Sequence, residues 1–240
     1  MPEAALLITC EHGGARVPAT YARLFAGRTR VLASHRGYDR GALPLARQLA
    51  RAHGAATVFS TTTRLLVDPN RSLGHPRLFS EITRLLAQDE RDALVRRHWL
   101  PYRDAVAAQV ARLAAPGRRV VHVAVHSFAP VLQGRRRCFE VGLLYDPARA
   151  PESCFARAWQ GALGDEAPAL RVRLNQPYRG TADGLTTALR RSFRPDGYVG
   201  IELEVNQRLL TGDARRARNV GDAVVAGLER ALACEAANGS

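Results

Sequence analysis

Three strand-like stretches of this sequence end on side chains able to do chemistry. The apolar run from Leu6 to Cys10 leads straight into Glu11, His12, Gly13 and Gly14. The run from Val120 to His126 carries His122 and His126 on one face, with only His126 at its end and Ser127 next to it. The run from Gly200 to Val205 holds Glu202 and Glu204, both facing the same way in an otherwise apolar strand. A carboxylate in a central strand is costly to desolvate and needs a partner or a metal. Two strand-end histidines and an acid form a zinc-type donor set that leaves one coordination position open for water. Here the histidines are His12 and His126. Local spacing leaves the acid open, because no His-Glu-x-x-His helix motif is present and the residue three after His12 is Ala15. Asp39 is one candidate, placed where a helix N-terminus could aim it back at the first strand. Ser127 is not read as a nucleophile, since no Gly-x-Ser-x-Gly elbow surrounds it.

The elements that must position these residues follow from periodicity. Strands are expected at 5–10, 56–61, 120–126, 139–145, 170–174 and 198–205. Helices are expected at 39–52, where Ala42, Leu45, Ala46 and Leu49 have helical spacing, and at 151–163, 181–191 and 213–235. The segment 89–113 reads as one long helix or as two interrupted near Pro101. Strands separated by helices predict a three-layer α/β/α sandwich around a mixed, mostly parallel sheet. In such sheets ligands gather beyond the carboxyl ends of the strands.

Composition narrows the class further. A chain of 240 residues fits one large α/β domain, read here as spanning 1–240, with 46% hydrophobic and 24% charged residues typical of a globular protein. No run reaches the roughly 18 apolar residues needed to span a bilayer, and Pro2 and Glu3 precede only a strand-length apolar run. A protein with no membrane partner and a cytoplasmic location is therefore expected. The formal charge of +13 comes entirely from arginine, with lysine absent, which has the look of codon bias. No aromatic-interleaved basic motif accompanies it, so nucleic acid is not an expected partner. Arg135, Arg136 and Arg137 read as a solvated loop. The four cysteines lack a Cys-x-x-Cys pair and read as reduced thiols, Cys10 as a small buried residue. His35, His53, His75 and His98 read as surface or packing residues, and Trp99 and Tyr102 as core.

Seven blocks, in order, resemble the N-formylglutamate amidohydrolases. They are Cys10-Glu-His-Gly-Gly-x-x-Val-Pro18, Asp39-x-Gly41-Ala42, Arg64-Leu-Leu-Val-Asp68-Pro-Asn70-Arg71-Ser72, His126-Ser-Phe128, Val141-Gly-Leu-Leu-Tyr-Asp146, Asn175-x-Pro177-Tyr178-x-Gly180-x-x-Asp183-Gly184, and Gly200-Ile-Glu-Leu-Glu204-Val-Asn206-Gln207. The resemblance implies the sandwich fold of the zinc carboxypeptidases and their aspartoacylase-like and cell-wall amidase relatives. It further implies one zinc per chain on His12, Asp39 and His126. Glu11 competes with Asp39, although extended geometry would point it away from His12. Asp68 competes too, or else orients an arginine.

By the same resemblance Glu204 is the general base, and Asn70 and Arg71 bind the substrate carboxylate, a task suited to a planar guanidinium. Arg64 either assists that task or supports the loop. Tyr178, Arg179, Thr181 and Asp183, in a polar loop before a helix, are expected pocket liners. Glu202 is expected to be a buried partner of an arginine. The glycines after His12 are expected to leave room for water and substrate. The expected function is a zinc-dependent amidohydrolase of an N-acyl amino acid, a small-molecule substrate, foremost N-formyl-L-glutamate in histidine degradation. The alternatives are a carboxypeptidase- or N-acetylmuramoyl-amidase-like zinc hydrolase and a non-catalytic ligand-binding relative.

Overall fold

The computed structural model describes residues 4–114 and 118–238. In chain order its first half runs β1 (Ala5–Cys10), α1 (Thr29–Leu32), α2 (Ala42–His53), β2 (Ala56–Phe59), α3 (Gln88–Leu94) and α4 (Leu100–Leu113). The central part follows with β3 (Val120–Phe128), a small hairpin of β4 (Val131–Leu132) and β5 (Arg135–Arg136), β6 (Val141–Leu144) and α5 (Ala150–Glu166). Then come β7 (Val172–Leu174), α6 (Leu185–Ser192), β8 (Tyr198–Asn206), α7 (Gln207–Leu210) and α8 (Ala214–Asn238).

Six strands form one sheet in the order β2-β1-β3-β8-β6-β7. The pairs β2-β1, β1-β3 and β3-β8 are parallel, β6 runs antiparallel to β8, and β7 is parallel to β6. The sheet is thus mixed and mostly parallel, with helices on both faces. On one face Ile8, Val121, Val123, Val125, Ile201 and Leu203 pack against Leu45 and Leu49 of α2, Phe155 and Trp159 of α5, and Val224 and Leu228 of α8. On the other face Leu7, Val120 and Tyr198 meet Tyr102, Val106 and Val110 of α4 and Leu185 and Leu189 of α6. Each such aliphatic or aromatic side chain contributes roughly 1.5–3 kcal/mol by leaving water. Nearly continuous burial of β3 and β8 explains why their sequences are apolar almost throughout rather than alternating.

Among the boundaries that differ from the periodicity reading, two helix starts have a clear local reason. Helix α2 starts at Ala42 rather than Asp39, because Gly41 sits in the left-handed region at φ 82° and breaks the helical path. Helix α6 starts at Leu185 rather than Thr181, since Asp183 is tied to the Ser72 backbone and hydroxyl instead of entering a helix. Of the two readings of 89–113 the interrupted one holds: the segment divides into α3 and α4 at a π turn, Val95–Trp99, just before Pro101, which lacks the amide hydrogen that a regular helix needs there. The irregular segment between β2 and α3 carries its own apolar cluster, in which Leu65, Leu66, Val67 and Leu78 pack with Phe25, Leu94 and Trp99. A long loop held this firmly is suited to carrying functional groups.

Candidate metal centre and active site

The register of the sheet brings the strand-end residues together. His126 lies opposite Glu204 in the β3-β8 pair, and Thr9 lies opposite Ala124 in the β1-β3 pair. Glu11, just past the end of β1, brings Oε2 to 2.9 Å from His126 Nε2. β1 ends at Cys10, and the chain turns through Glu11 and His12, so His12 also swings into that space. The opposite-face expectation for the two failed because extended geometry stops one residue before Glu11. Gly13 and Gly14 then pass so close to the neighbouring segment that a Cβ would lie 2.7 Å from the Ser60 carbonyl oxygen and 2.6 Å from that of Thr61. The glycines thus make room for protein backbone, not for water or substrate.

Both imidazoles turn their Nδ1 atoms toward one carboxylate. Asp39 Oδ2 lies 2.8 Å from His126 Nδ1 and 3.3 Å from His12 Nδ1, and the ring centroids are 5.2 Å apart. The Asp39 amide donates to the His12 carbonyl oxygen at 2.9 Å, which fixes that turn against the end of β1. One donor atom from each of His12, Asp39 and His126 falls within 4.8 Å of the others, so the three could hold a metal ion. Behind each imidazole stands a further carboxylate. His12 Nε2 is 2.8 Å from Asp68 Oδ1, and His126 Nε2 is 2.9 Å from Glu11 Oε2, the latter without the alignment of a hydrogen bond. Metal-binding histidines are typically backed in this way by a carboxylate that sets the tautomer and raises ligand basicity.

These outer carboxylates are themselves held. Asp68 Oδ2 accepts from Arg64 Nε at 3.1 Å and Nη2 at 2.7 Å, while Asp68 Oδ1 also accepts from the Asn70 amide at 2.9 Å. Arg64 Nη1 reaches to 3.5 Å from Asp39 Oδ1. Tyr102 donates its hydroxyl to Glu11 Oε1 at 2.9 Å. Arg64 is therefore a support for the acids rather than a free anion binder.

Electrostatics test the fit of a divalent cation. Glu11, His12, Asp39, Asp68 and His126 are all buried. Burial alone would raise the pKa of Asp39, but the two imidazoles hold it well below the usual carboxylate range. Arg64 and then His12 do the same for Asp68. Burial likewise opposes ionisation of Glu11, yet contact with His126 brings its pKa to about 2. Three ionised carboxylates, one guanidinium and two neutral imidazoles leave two negative charges uncompensated in a desolvated cluster, a costly arrangement. Burial would lower the His126 pKa, but Asp39 and Glu11 push it well above 6.5, so a proton offsets one charge in the metal-free protein. A dication among the Nδ1 atoms and Asp39 would offset both. The donor set fits.

Glu204 is buried beside this cluster, its Oε2 without a hydrogen-bond partner among the described residues. Desolvation is the main reason that its pKa rises to about 8, with the charge of His126 lowering it and those of Asp39 and Glu202 raising it further. Across the sheet Gly142 lies opposite Glu204, and a Cβ there would collide with the Gln176 carbonyl oxygen and touch the Glu204 Cβ at 3.4 Å. Glu202 accepts from the Thr186 hydroxyl at 2.6 Å, so its hydrogen-bond partner is a threonine of α6 rather than the expected arginine.

The remaining expected site residues divide in two. Asn70 Oδ1 accepts from the Leu185 amide at 2.7 Å and so joins the long loop to the start of α6. Arg71 Nη1 donates to the Asp183 carbonyl oxygen at 2.5 Å, and its Nε is buried without a partner among the described residues. Both oxygens of Asp183 accept from Ser72, at 3.0 and 2.5 Å, which makes it a loop tie. Tyr178 is 45% exposed, and Arg179 and Thr181 are exposed. Two aromatic residues read as core fill do more than pack. Besides the Tyr102 bond to Glu11, Trp99 Nε1 donates to the Arg71 carbonyl oxygen at 2.8 Å. No local motif marks either residue, since both act across more than 25 positions of sequence.

The chain is similar over its length to solved structures. It shares 33% identity and a TM-score of 0.82 with a gene product of Agrobacterium tumefaciens, covering 96% of this chain and 91% of that one. With the N-formylglutamate amidohydrolase of Ralstonia eutropha it shares 18% identity and a TM-score of 0.70, covering 95% and 93%, a likeness of fold. No curated protein matches the chain. The family model described as N-formylglutamate amidohydrolase matches residues 4–211, from the first residue of β1's approach to the end of α7, taking in the whole cluster of His12, Asp39, Asp68, His126 and Glu204. This chain belongs to the N-formylglutamate amidohydrolase family, and is a hydrolase acting on amide bonds.

Proposed function

We propose that the chain is a zinc-dependent hydrolase of N-acyl amino acids, cleaving N-formyl-L-glutamate to formate and L-glutamate. The observation that carries this reading is the convergence of two carboxylate-backed imidazoles and Asp39 beside a buried, proton-holding Glu204. Zinc on His12, Asp39 and His126 would supply a Lewis acid that polarises the amide carbonyl and lowers the pKa of water toward neutrality. Asp68 and Glu11 stand at the Nε2 atoms of the two imidazoles, which leaves both Nδ1 atoms aimed at the place the metal would occupy.

In its ionised form, which a bound dication would favour, Glu204 takes a proton from the attacking water and passes it to the leaving nitrogen as the amide C–N bond breaks. A carboxyl with a pKa near the working pH is suited to both transfers. Water contributes the oxygen added to the acyl carbon. Arg71, with its unpartnered Nε, binds the α-carboxylate together with Asn70, and the Asp183 carbonyl oxygen holds Arg71 Nη1. Cytoplasmic residence and a role in histidine degradation accompany this reading. A screen of zinc-loaded protein against N-formyl, N-acetyl and N-succinyl amino acids tests it. N-formyl-L-glutamate should give the highest kcat/KM, and absence of turnover on every substrate with zinc bound would point instead to a ligand-binding relative.

A further inference from the structure

Of the Arg135, Arg136 and Arg137 triplet, only the first two behave as a solvated loop, lying exposed on β5. The hairpin before them turns on Gln133 and Gly134, both left-handed at φ 50° and 76°, the two-residue loop that a tight hairpin favours. The chain then folds back. The Arg137 amide donates to the Pro130 carbonyl oxygen at 2.9 Å, and its own carbonyl accepts from Asn206 Nδ2 at 3.4 Å. Its guanidinium lies between two rings, 5.5 Å from the centroid of Phe128 and 5.1 Å from that of Tyr178. Phe128 and Asn206 are paired, each two residues beyond His126 and Glu204 on the same strands.

Such stacking fixes the plane of a guanidinium. Arg137 Nη2 donates to the Tyr178 hydroxyl at 3.2 Å, but Nη1 is buried with no partner among the described residues. A buried charged donor left unpaired is costly unless a ligand completes it. Arg71 Nε is in the same condition, and Arg71 Nη1 donates to the carbonyl oxygen of Asp183, next to Gly184, which approaches Glu202. Two guanidiniums, each lacking one acceptor, therefore lie on segments that reach β8 at Glu202 and at Asn206, the residues on either side of Glu204 on its face of the strand. Arg137 reaches the same end of the sheet as that proposed general base, since its carbonyl oxygen is bonded by Asn206, two residues beyond Glu204 on β8. Tyr178 covers Arg137 from the surface, so a ligand reaches Nη1 by displacing an exposed side chain and not the core.

We propose that Arg137 is the specificity residue for a second carboxylate, pairing with the side-chain carboxylate of an N-acylated dicarboxylic amino acid while Arg71 holds the α-carboxylate. This inference rests on the amide-hydrolase reading above. Zinc-loaded wild type, Arg137→Ala and Arg137→Lys are assayed on N-formyl-L-glutamate and N-formyl-L-glutamine. Arg137→Ala should lose about 10²-fold in kcat/KM on the glutamate substrate and less than about threefold on the glutamine one, with Arg137→Lys recovering only part of the loss. Equal losses on both substrates, or no loss on either, would overturn the proposal. Calorimetric binding of L-glutamate and L-glutamine separates it from the reaction itself. If no N-formyl amino acid is turned over, the hydrolase reading falls. Tighter binding of L-glutamate than of L-glutamine by wild type, lost in Arg137→Ala, still supports Arg137, and equal binding of the two by wild type refutes it.

Discussion

Replacing Glu204 by glutamine should make the protein more stable and much less active. Glutamine has nearly the shape of a protonated glutamic acid but does not titrate in this range. Desolvation beside Asp39 and Glu202 pushes the Glu204 pKa from 4.5 to about 8, so the folded protein binds a proton that the unfolded chain releases above 4.5. A raised carboxyl pKa leaves stability intact below 4.5 and removes it as pH climbs toward 8. At pH 7 the metal-free wild type therefore forfeits up to about 3 kcal/mol, at about 1.4 kcal/mol for each pH unit above 4.5. Glu204→Gln should recover most of this in urea unfolding of metal-free protein at pH 7, and less than about 1 kcal/mol at pH 5. Turnover of zinc-loaded protein should fall by about 10²–10⁴-fold, the range for loss of a general acid-base group. A variant that is no more stable than wild type at pH 7, or equally stabilised at pH 5, would refute the electrostatic reasoning; unchanged turnover would remove Glu204 from the mechanism.

The metal-binding assignment separates two acids. Asp39→Asn should leave the purified protein with little zinc, whereas Glu11→Gln should keep a site weakened about 10–100-fold, as for an outer carboxylate; the reverse ranking by metal analysis would exchange their roles. Arg71→Ala should raise KM for N-formyl-L-glutamate by roughly 10–100-fold but hardly change that for its α-carboxamide, and steady-state kinetics on both compounds decides the point. Gly142→Ala should destabilise by about 3 kcal/mol or more, since the added methyl meets the Gln176 carbonyl oxygen behind Glu204, and thermal unfolding would detect it.

Strand ends were legible because β1, β3 and β8 are apolar runs whose polar residues stand out at their termini. His12, His126 and the pair of Glu202 and Glu204 could thus be singled out from local pattern, and the parallel register placed His126 opposite Glu204. Asp39 was harder, since it is positioned by a turn locked to the His12 carbonyl and not by the helix that follows. The place of Glu11 behind His126 depended on where extended geometry stops. Arg137 looked like one member of a solvated triplet because nothing local reveals that a left-handed hairpin returns it between Phe128 and Tyr178. Asp183 is likewise a polar residue of a site-like loop whose tie to Ser72, 111 positions away, no local spacing reveals. Long-range hydrogen bonding decides such cases, and sequence spacing does not encode it.

Stepwise return of zinc to chelator-treated protein tests the central claim most directly. Hydrolysis of N-formyl-L-glutamate should vanish on metal removal and recover in proportion to zinc added, reaching its plateau at one equivalent per chain in wild type, with no recovery in His126→Ala. Full activity after verified metal removal, or a plateau of zinc binding with no hydrolysis, would contradict it.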